Sequence, residues 1–150
     1  MSAARLCEPE FALLVGANGK IVAVAPAIEV VHSCFLDWKA VGFPSLIADL
    51  ACNGGWVRGH AVPIDNVSLE SCNLVVNGKE FSVGSANRVL GSPLKAYEMI
   101  LLQKFLDVRP GDWISTGVCV DPPYHYCKVG DTIEAHFNGG VGSVALRCEI

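Results

Sequence analysis

The chain has 150 residues, 51% of them hydrophobic and 17% charged, with a net charge of −4. That length suits one domain with a sizeable core, and the composition excludes a disordered chain. The acidic balance argues against a nucleic-acid partner, and no apolar run approaches the roughly 18 residues of a membrane helix, so neither nucleic acid nor membrane is an expected partner.

The first element is a strand, Cys7-Glu8-Pro9-Glu10-Phe11-Ala12-Leu13-Leu14-Val15. Its Glu-x-Glu spacing points both carboxylates to one face. A second apolar run, Pro26-Ala27-Ile28-Glu29-Val30-Val31, carries another acid. If Asn18-Gly19 is a two-residue hairpin turn, Ala17 faces Lys20, Glu10 faces Ala27 and Glu8 faces Glu29. A truncated helix ending before Pro26 is the other way to join the two runs. In the hairpin, all three carboxylates converge, because directly opposed residues share a face. Acids in apolar surroundings are costly unless compensated, and a hard divalent cation, magnesium or manganese, compensates them through oxygen. The plainer reading leaves Glu8 and Glu10 on a solvated edge, with Glu29 capping or pairing with a lysine.

A weak helix is expected over Ser45 to Asn53. Leu74-Val75-Val76 and Glu80-Phe81-Ser82-Val83 flank Asn77-Gly78, a type I′ hairpin signal. Ser92 suits an N-cap and Pro93 the first helical position, and Leu94, Tyr97, Leu101 and Phe105 follow at helical spacing. That predicts one strong helix over about 93–106. Trp113 to Thr116, Thr132 to Phe137 and Val141 to Leu146 read as strands. The fold class is therefore α+β and β-rich, a sandwich or a rolled mixed sheet. The seven cysteines (7, 34, 52, 72, 119, 127 and 148) form no Cys-x-x-Cys pair. With no signal-peptide pattern at the start, they are expected as reduced thiols in a cytoplasmic protein.

The second half carries Asn77-Gly78-Lys79, Val89-Leu90-Gly91-Ser92-Pro93-Leu94, Arg109-Pro110-Gly111-Asp112 with Ser115-Thr116-Gly117, Val129-Gly130-Asp131-Thr132, and Gly139-Gly140-Val141-Gly142-Ser143-Val144. This succession, with Glu8, Glu10 and Glu29 ahead of it, resembles the fumarylacetoacetate hydrolase superfamily. The nearest branch is that of the 2-keto-4-pentenoate hydratases and 4-oxalocrotonate decarboxylases. The resemblance implies one catalytic domain over 1–150 of the fumarylacetoacetate hydrolase C-terminal type, with Glu8, Glu10 and Glu29 as ligands of Mg2+ or Mn2+. Family members usually carry a longer segment ahead of Glu-x-Glu, holding a catalytic lysine and an acid, so this chain is expected to be N-terminally shortened.

Asp49 lies where relatives place a residue near the substrate. Leu50 and Cys52 stand where relatives often have Asn and Ser. The expected catalytic candidates are thus Asp49 and Cys52, with Thr116 and Gly117 binding the substrate carboxylate. His32 falls on the opposite strand face from Glu29, and His125 reads as a surface histidine. The implied function is a metal-dependent lyase, a hydratase or decarboxylase of a small 2-keto or 2-hydroxy-dienoic acid. Its partners would be that keto acid and further copies of the chain in a homo-oligomer. The rival readings are a non-catalytic metal-binding or structural subunit, and a hydrolase or keto-acid decarboxylase on the same scaffold.

Overall fold

A computed structural model describes residues 5–103, 106–122 and 124–149. Two long strands, β1 (Arg5–Val15) and β2 (Ile21–His32), form an antiparallel hairpin that places Glu8 opposite Glu29 and Glu10 opposite Ala27. The expected register holds at the acids, but the turn differs. The Gly16 N–H bonds the Lys20 carbonyl at 2.8 Å, so the loop is Ala17-Asn18-Gly19 and Ala17 does not face Lys20. This shifts the pairing by one residue, and a bulge that leaves Val22 unpaired shifts it back.

The chain continues through α1 (Phe43–Ala48) and a single 3-10 turn at Leu50–Cys52, in place of one helix from Ser45 to Asn53. The further strands are β3 (Asn53–Arg58), β4 (Val62–Pro63), β5 (Ser71–Val76) and β6 (Lys79–Ser85). The β5–β6 turn is the expected type I′, with φ of 51° at Asn77 and 74° at Gly78. Helix α2 (Pro93–Leu101) starts as predicted, with the Ser92 hydroxyl accepting the Leu94 N–H at 3.3 Å. It ends at Leu101 rather than near residue 106, and Phe105 lies outside the described residues. Tyr97, buried on α2, donates its hydroxyl to the Gly19 carbonyl at 2.7 Å and ties the helix to the first hairpin. Last come β7 (Trp113–Ser115), β8 (His125–Tyr126), β9 (Thr132–Phe137) and β10 (Gly142–Arg147).

These strands form two sheets. One runs β3-β2-β1-β7, with β4 beside β2 and β8 beside β1; the other runs β10-β9-β5-β6. Every ladder among the described residues is antiparallel, so neither sheet is mixed. The fold is strand-rich, with one main helix, as expected. Alternation then divides β1 between two environments. Cys7, Phe11, Leu13 and Val15 join Val24 and Ile28 in the main core, against Cys72, Leu74, Ile133, Ala135 and Phe137 of the second sheet. The Phe11 and Phe137 rings meet edge to face with centroids 4.9 Å apart. Each such large apolar side chain contributes about 1.5–3 kcal/mol on full burial.

Cysteine pairing departs from the expectation of reduced thiols. Pairing of β8 with β1 sets Cys7 opposite His125 and brings Cys127 alongside, with Cα atoms 6.7 Å apart, and Cys7 and Cys127 form a disulfide. The argument from reduced thiols to a cytoplasmic protein therefore loses its support. No helix among the described residues is long and apolar enough to cross a membrane.

Candidate metal centre

The other face of the first sheet carries the three acids. Glu8, Glu10 and Ala12 on β1 share that face with Ala25, Ala27 and Glu29 on β2, because the register pairs them. Trp56 faces Glu29 and Arg58 faces Ala27 from β3, while Ser115 faces Ala12 and Trp113 faces Leu14 from β7. Ala12, Ala25 and Ala27 are fully buried beneath Trp56, Ala61 and Trp113. Small residues in the floor let large side chains from the outer strands fold over it.

One oxygen from each of Glu8, Glu10 and Glu29 lies within 4.8 Å of the others. Burial first, then repulsion from Glu29, pushes the Glu8 carboxyl up to about 7. Glu10 is 1% exposed, and its pKa is pushed up to about 8 by burial. The hydroxyl of Ser115, which donates to Glu10, offsets part of this, and repulsion from Glu29 and Glu8 adds to it. Glu29 is also raised, chiefly by burial, although the Asn53 amide donates to its Oε1 at 2.9 Å. No lysine or arginine forms an ion pair with these acids among the described residues. An all-oxygen, triply acidic cluster short of positive charge fits a hard divalent cation.

A pocket of about 260 Å3 opens beside Glu8 and Glu29, walled by Trp38, Phe43, Leu46, Ile47 and Cys52 among others. Cys52 is 4% exposed and faces this space. Leu50, Ala51 and Cys52 all have left-handed φ values, 51°, 54° and 66°. Such conformations cost L-residues roughly 1–2 kcal/mol each, so the pocket wall is strained.

Asp49 does not line the pocket. It caps α1 and accepts hydrogen bonds from the Ser33 hydroxyl at 2.6 Å and the Cys34 N–H at 3.2 Å, which hold its carboxyl below the usual range. Thr116 is buried and donates its hydroxyl to the Phe11 carbonyl at 2.8 Å, and Gly117 follows at φ 98°. His125 is largely buried, not a surface histidine: its Nε2 lies 2.8 Å from Asp131, whose carboxyl the Asn77 and His125 hydrogen bonds hold down at about 2. A larger cavity, about 580 Å3, is lined by Cys7 and Cys127 and so lies on the opposite side of β1 from the acids.

Two residues that touch the cluster escaped the sequence reading. Ser115 reaches Glu10 because β7 pairs with β1 at Ala12, a register that no local pattern in the sequence encodes. Asn53 reaches Glu29 through a bulge at Gly54, which pairs Val30 with Gly55 and then Val31 with Asn53. The Asn-Gly-Gly run was the available signal.

The family model for the fumarylacetoacetate (FAA) hydrolase C-terminal region matches residues 7–148. The chain belongs to the fumarylacetoacetate hydrolase family. It is 34% identical over 135 residues to 2-keto-4-pentenoate hydratase of Paraburkholderia xenovorans (strain LB400), a match covering 84% of this chain and 48% of that protein. It is 33% identical over 102 residues to 4-oxalocrotonate decarboxylase of a Pseudomonas species, covering 59% of this chain and 39% of the other. The chain thus spans about half the length or less of these curated relatives. Among solved structures of the family fold, 4-oxalocrotonate decarboxylase from Pseudomonas putida G7, complexed with magnesium and adipate, superposes with a TM-score of 0.84. That alignment has 22% identity and covers 97% of this chain and 60% of the other. A 2-keto-3-deoxy-D-arabinonate dehydratase complexed with magnesium and 2,5-dioxopentanoate superposes at 0.70, with 19% identity over 99% of this chain and 54% of that one.

Proposed function

We propose that this fumarylacetoacetate hydrolase family chain is the metal-binding part of a lyase, a hydratase or decarboxylase, acting on a small 2-keto or 2-hydroxy-dienoic acid. The observation that carries the reading is the convergence of Glu8, Glu10 and Glu29 beside a pocket. A bound Mg2+ or Mn2+ would supply Lewis-acid polarisation of a chelating 2-keto acid. Glu8, Glu10 and Glu29 would hold the cation, Ser115 and Asn53 would orient two of these ligands, and apolar side chains from Trp38 to Cys52 flank the pocket. Cys52 brings a thiol to that wall beside the acids. Thr116 and Gly117 are proposed to receive the substrate carboxylate, with Gly117 offering its N–H, since the Thr116 hydroxyl already serves Phe11. Self-association, measured by sedimentation, is proposed through exposed apolar residues such as Leu94, Met99, Leu101 and Leu102 of the α2 region.

The test is a magnesium titration followed by an assay on 2-hydroxypenta-2,4-dienoate and on 4-oxalocrotonate, with Glu29→Gln as the control. Metal-dependent turnover lost in Glu29→Gln supports the reading; turnover that survives metal removal refutes it. One observation favours a second reading, a metal-binding but non-catalytic subunit: Asp49, the other proton-transfer candidate, is committed to Ser33 and Cys34. Metal binding without turnover on either acid would select it.

A further inference from the structure

The side of the first sheet turned away from the acids borders the larger cavity, of about 580 Å3. Cys7 on β1 and Val30 on β2 are paired in register, and with Val57 on β3 they form its floor. The opposite wall is Leu146 and Cys148, at the end of β10, a strand that packs against β2 and β3. The interior is therefore a gap between the two sheets, apolar and large enough for a small organic molecule. Its rim is charged: Arg5 at the start of β1, Lys128 after β8, Arg147 at the end of β10, and Glu149. Three of the chain's eleven lysines and arginines thus meet here against one of its fifteen acids, in a molecule of net charge −4. All three cations are exposed, and none is in an ion pair among the described residues. Asp131, whose carbonyl accepts the Cys148 N–H, has its carboxylate committed to Asn77, His125 and the Lys128 N–H.

We propose that this cavity binds an amphipathic oxyanion, a short alkyl or acyl chain ended by a carboxylate or phosphate, with the chain between the sheets and the head at the rim. The division of the lining argues for both ends of such a ligand. The apolar interior gains about fourfold in affinity for each CH2 group it takes from water. The forked guanidinium groups of Arg5 and Arg147 match an oxyanion head with paired hydrogen bonds, and the Lys128 ammonium adds a point charge. Each rim contact is exposed and so contributes little alone, but three cations against Glu149 fix the sign of the preferred head. A neutral molecule of the same length gains from the tail only. The Cys7–Cys127 disulfide ties the end of β8 to β1 and so fixes the backbone that carries Lys128. The acidic cluster on the other face of the sheet takes no part, so the site works without a metal.

The experiment uses the full chain in chelator, so that no anion is held through a metal, with octanoate, octyl phosphate and 1-octanol as probes. Binding is read by calorimetry and by the rate at which iodoacetamide alkylates Cys148, a free thiol of the cavity wall, with exposed Cys34 as the internal reference. At low salt at least one anion should bind about tenfold more tightly than octanol and slow alkylation of Cys148 but not of Cys34. The tighter of the two anions identifies the head. Hexanoate should bind about tenfold more weakly than octanoate, from the two CH2 groups lost. The double variant Lys128→Gln, Arg147→Gln should bring the anion-to-octanol ratio near one while leaving octanol affinity and Tm unchanged, which a loss of folding would not do. Anions that bind no more tightly than octanol, a preference that survives in the double variant, or Cys148 alkylation indifferent to every probe overturns the proposal.

Discussion

Without a cation, the three clustered acids make the folded chain vulnerable to rising pH. The folded state raises the Glu10 carboxyl from 4.5 to about 8 and the Glu8 carboxyl from 4.5 to about 7. The folded chain therefore holds protons that the unfolded chain releases, and stability is present below about pH 4.5 and falls as pH climbs to about 8. At about 1.4 kcal/mol per tenfold change in proton affinity, ionising Glu10 between pH 5 and pH 8 removes about 3–4 kcal/mol. Glu8 is partly exposed and shares the same repulsion, so it adds less than its own shift implies. For a chain of this length that loss lowers Tm by roughly 10 °C. The assay is thermal unfolding with a chelator across this range, then with magnesium at about a hundred times its Kd, which should restore about 2.7 kcal/mol. Glu10→Gln should flatten the profile, since the amide can still accept the Ser115 hydroxyl. A Tm that is constant or rising between pH 5 and pH 8 in chelator, or one indifferent to magnesium at pH 8, would refute the reasoning. Asp131, held down at about 2, loses its contribution only below about pH 3.8, outside this window.

Ser115→Ala should weaken metal affinity about tenfold, the lower end for a residue that orients a ligand, with the fold intact by circular dichroism. Ala51→Gly should raise stability by about 1 kcal/mol in a urea melt, because glycine adopts the left-handed conformation at φ 54° without the Cβ penalty. Thiol titration of denatured, unreduced protein should count five free groups, since Cys7 and Cys127 are paired; seven would remove the pair.

The acidic triad was legible because two facts sufficed: the period-two spacing of Glu8 and Glu10, and a hairpin that returns Glu29 across from them. The legibility was partly accidental. The turn assumed at Asn18-Gly19 is a three-residue loop, and the bulge at Val22 restores the pairing that the loop had displaced. The start of α2 was legible in Ser92-Pro93 because caps are local, whereas its end was overestimated because apolar spacing continues past Leu101. Ser115 and Asn53 were harder to read, because each depends on a tertiary strand register. Ser115 reaches the acids through β7, which meets β1 across a sequence separation of about a hundred residues, and Asn53 through the bulge in the β2–β3 pairing.

The strand β1 explains how the chain holds a site that costs it stability. Its residues alternate between the main core, through Cys7, Phe11 and Leu13, and the acidic face, through Glu8 and Glu10. A one-residue slip would bury both acids in that core and expose the aromatic and aliphatic residues, so the hydrophobic face fixes the register far more firmly than the acids oppose it. The energy that places the carboxylates comes from the other side of the same strand. The acidic face in turn has alanines in its floor, indoles above them, and Arg58 stacked on Trp113.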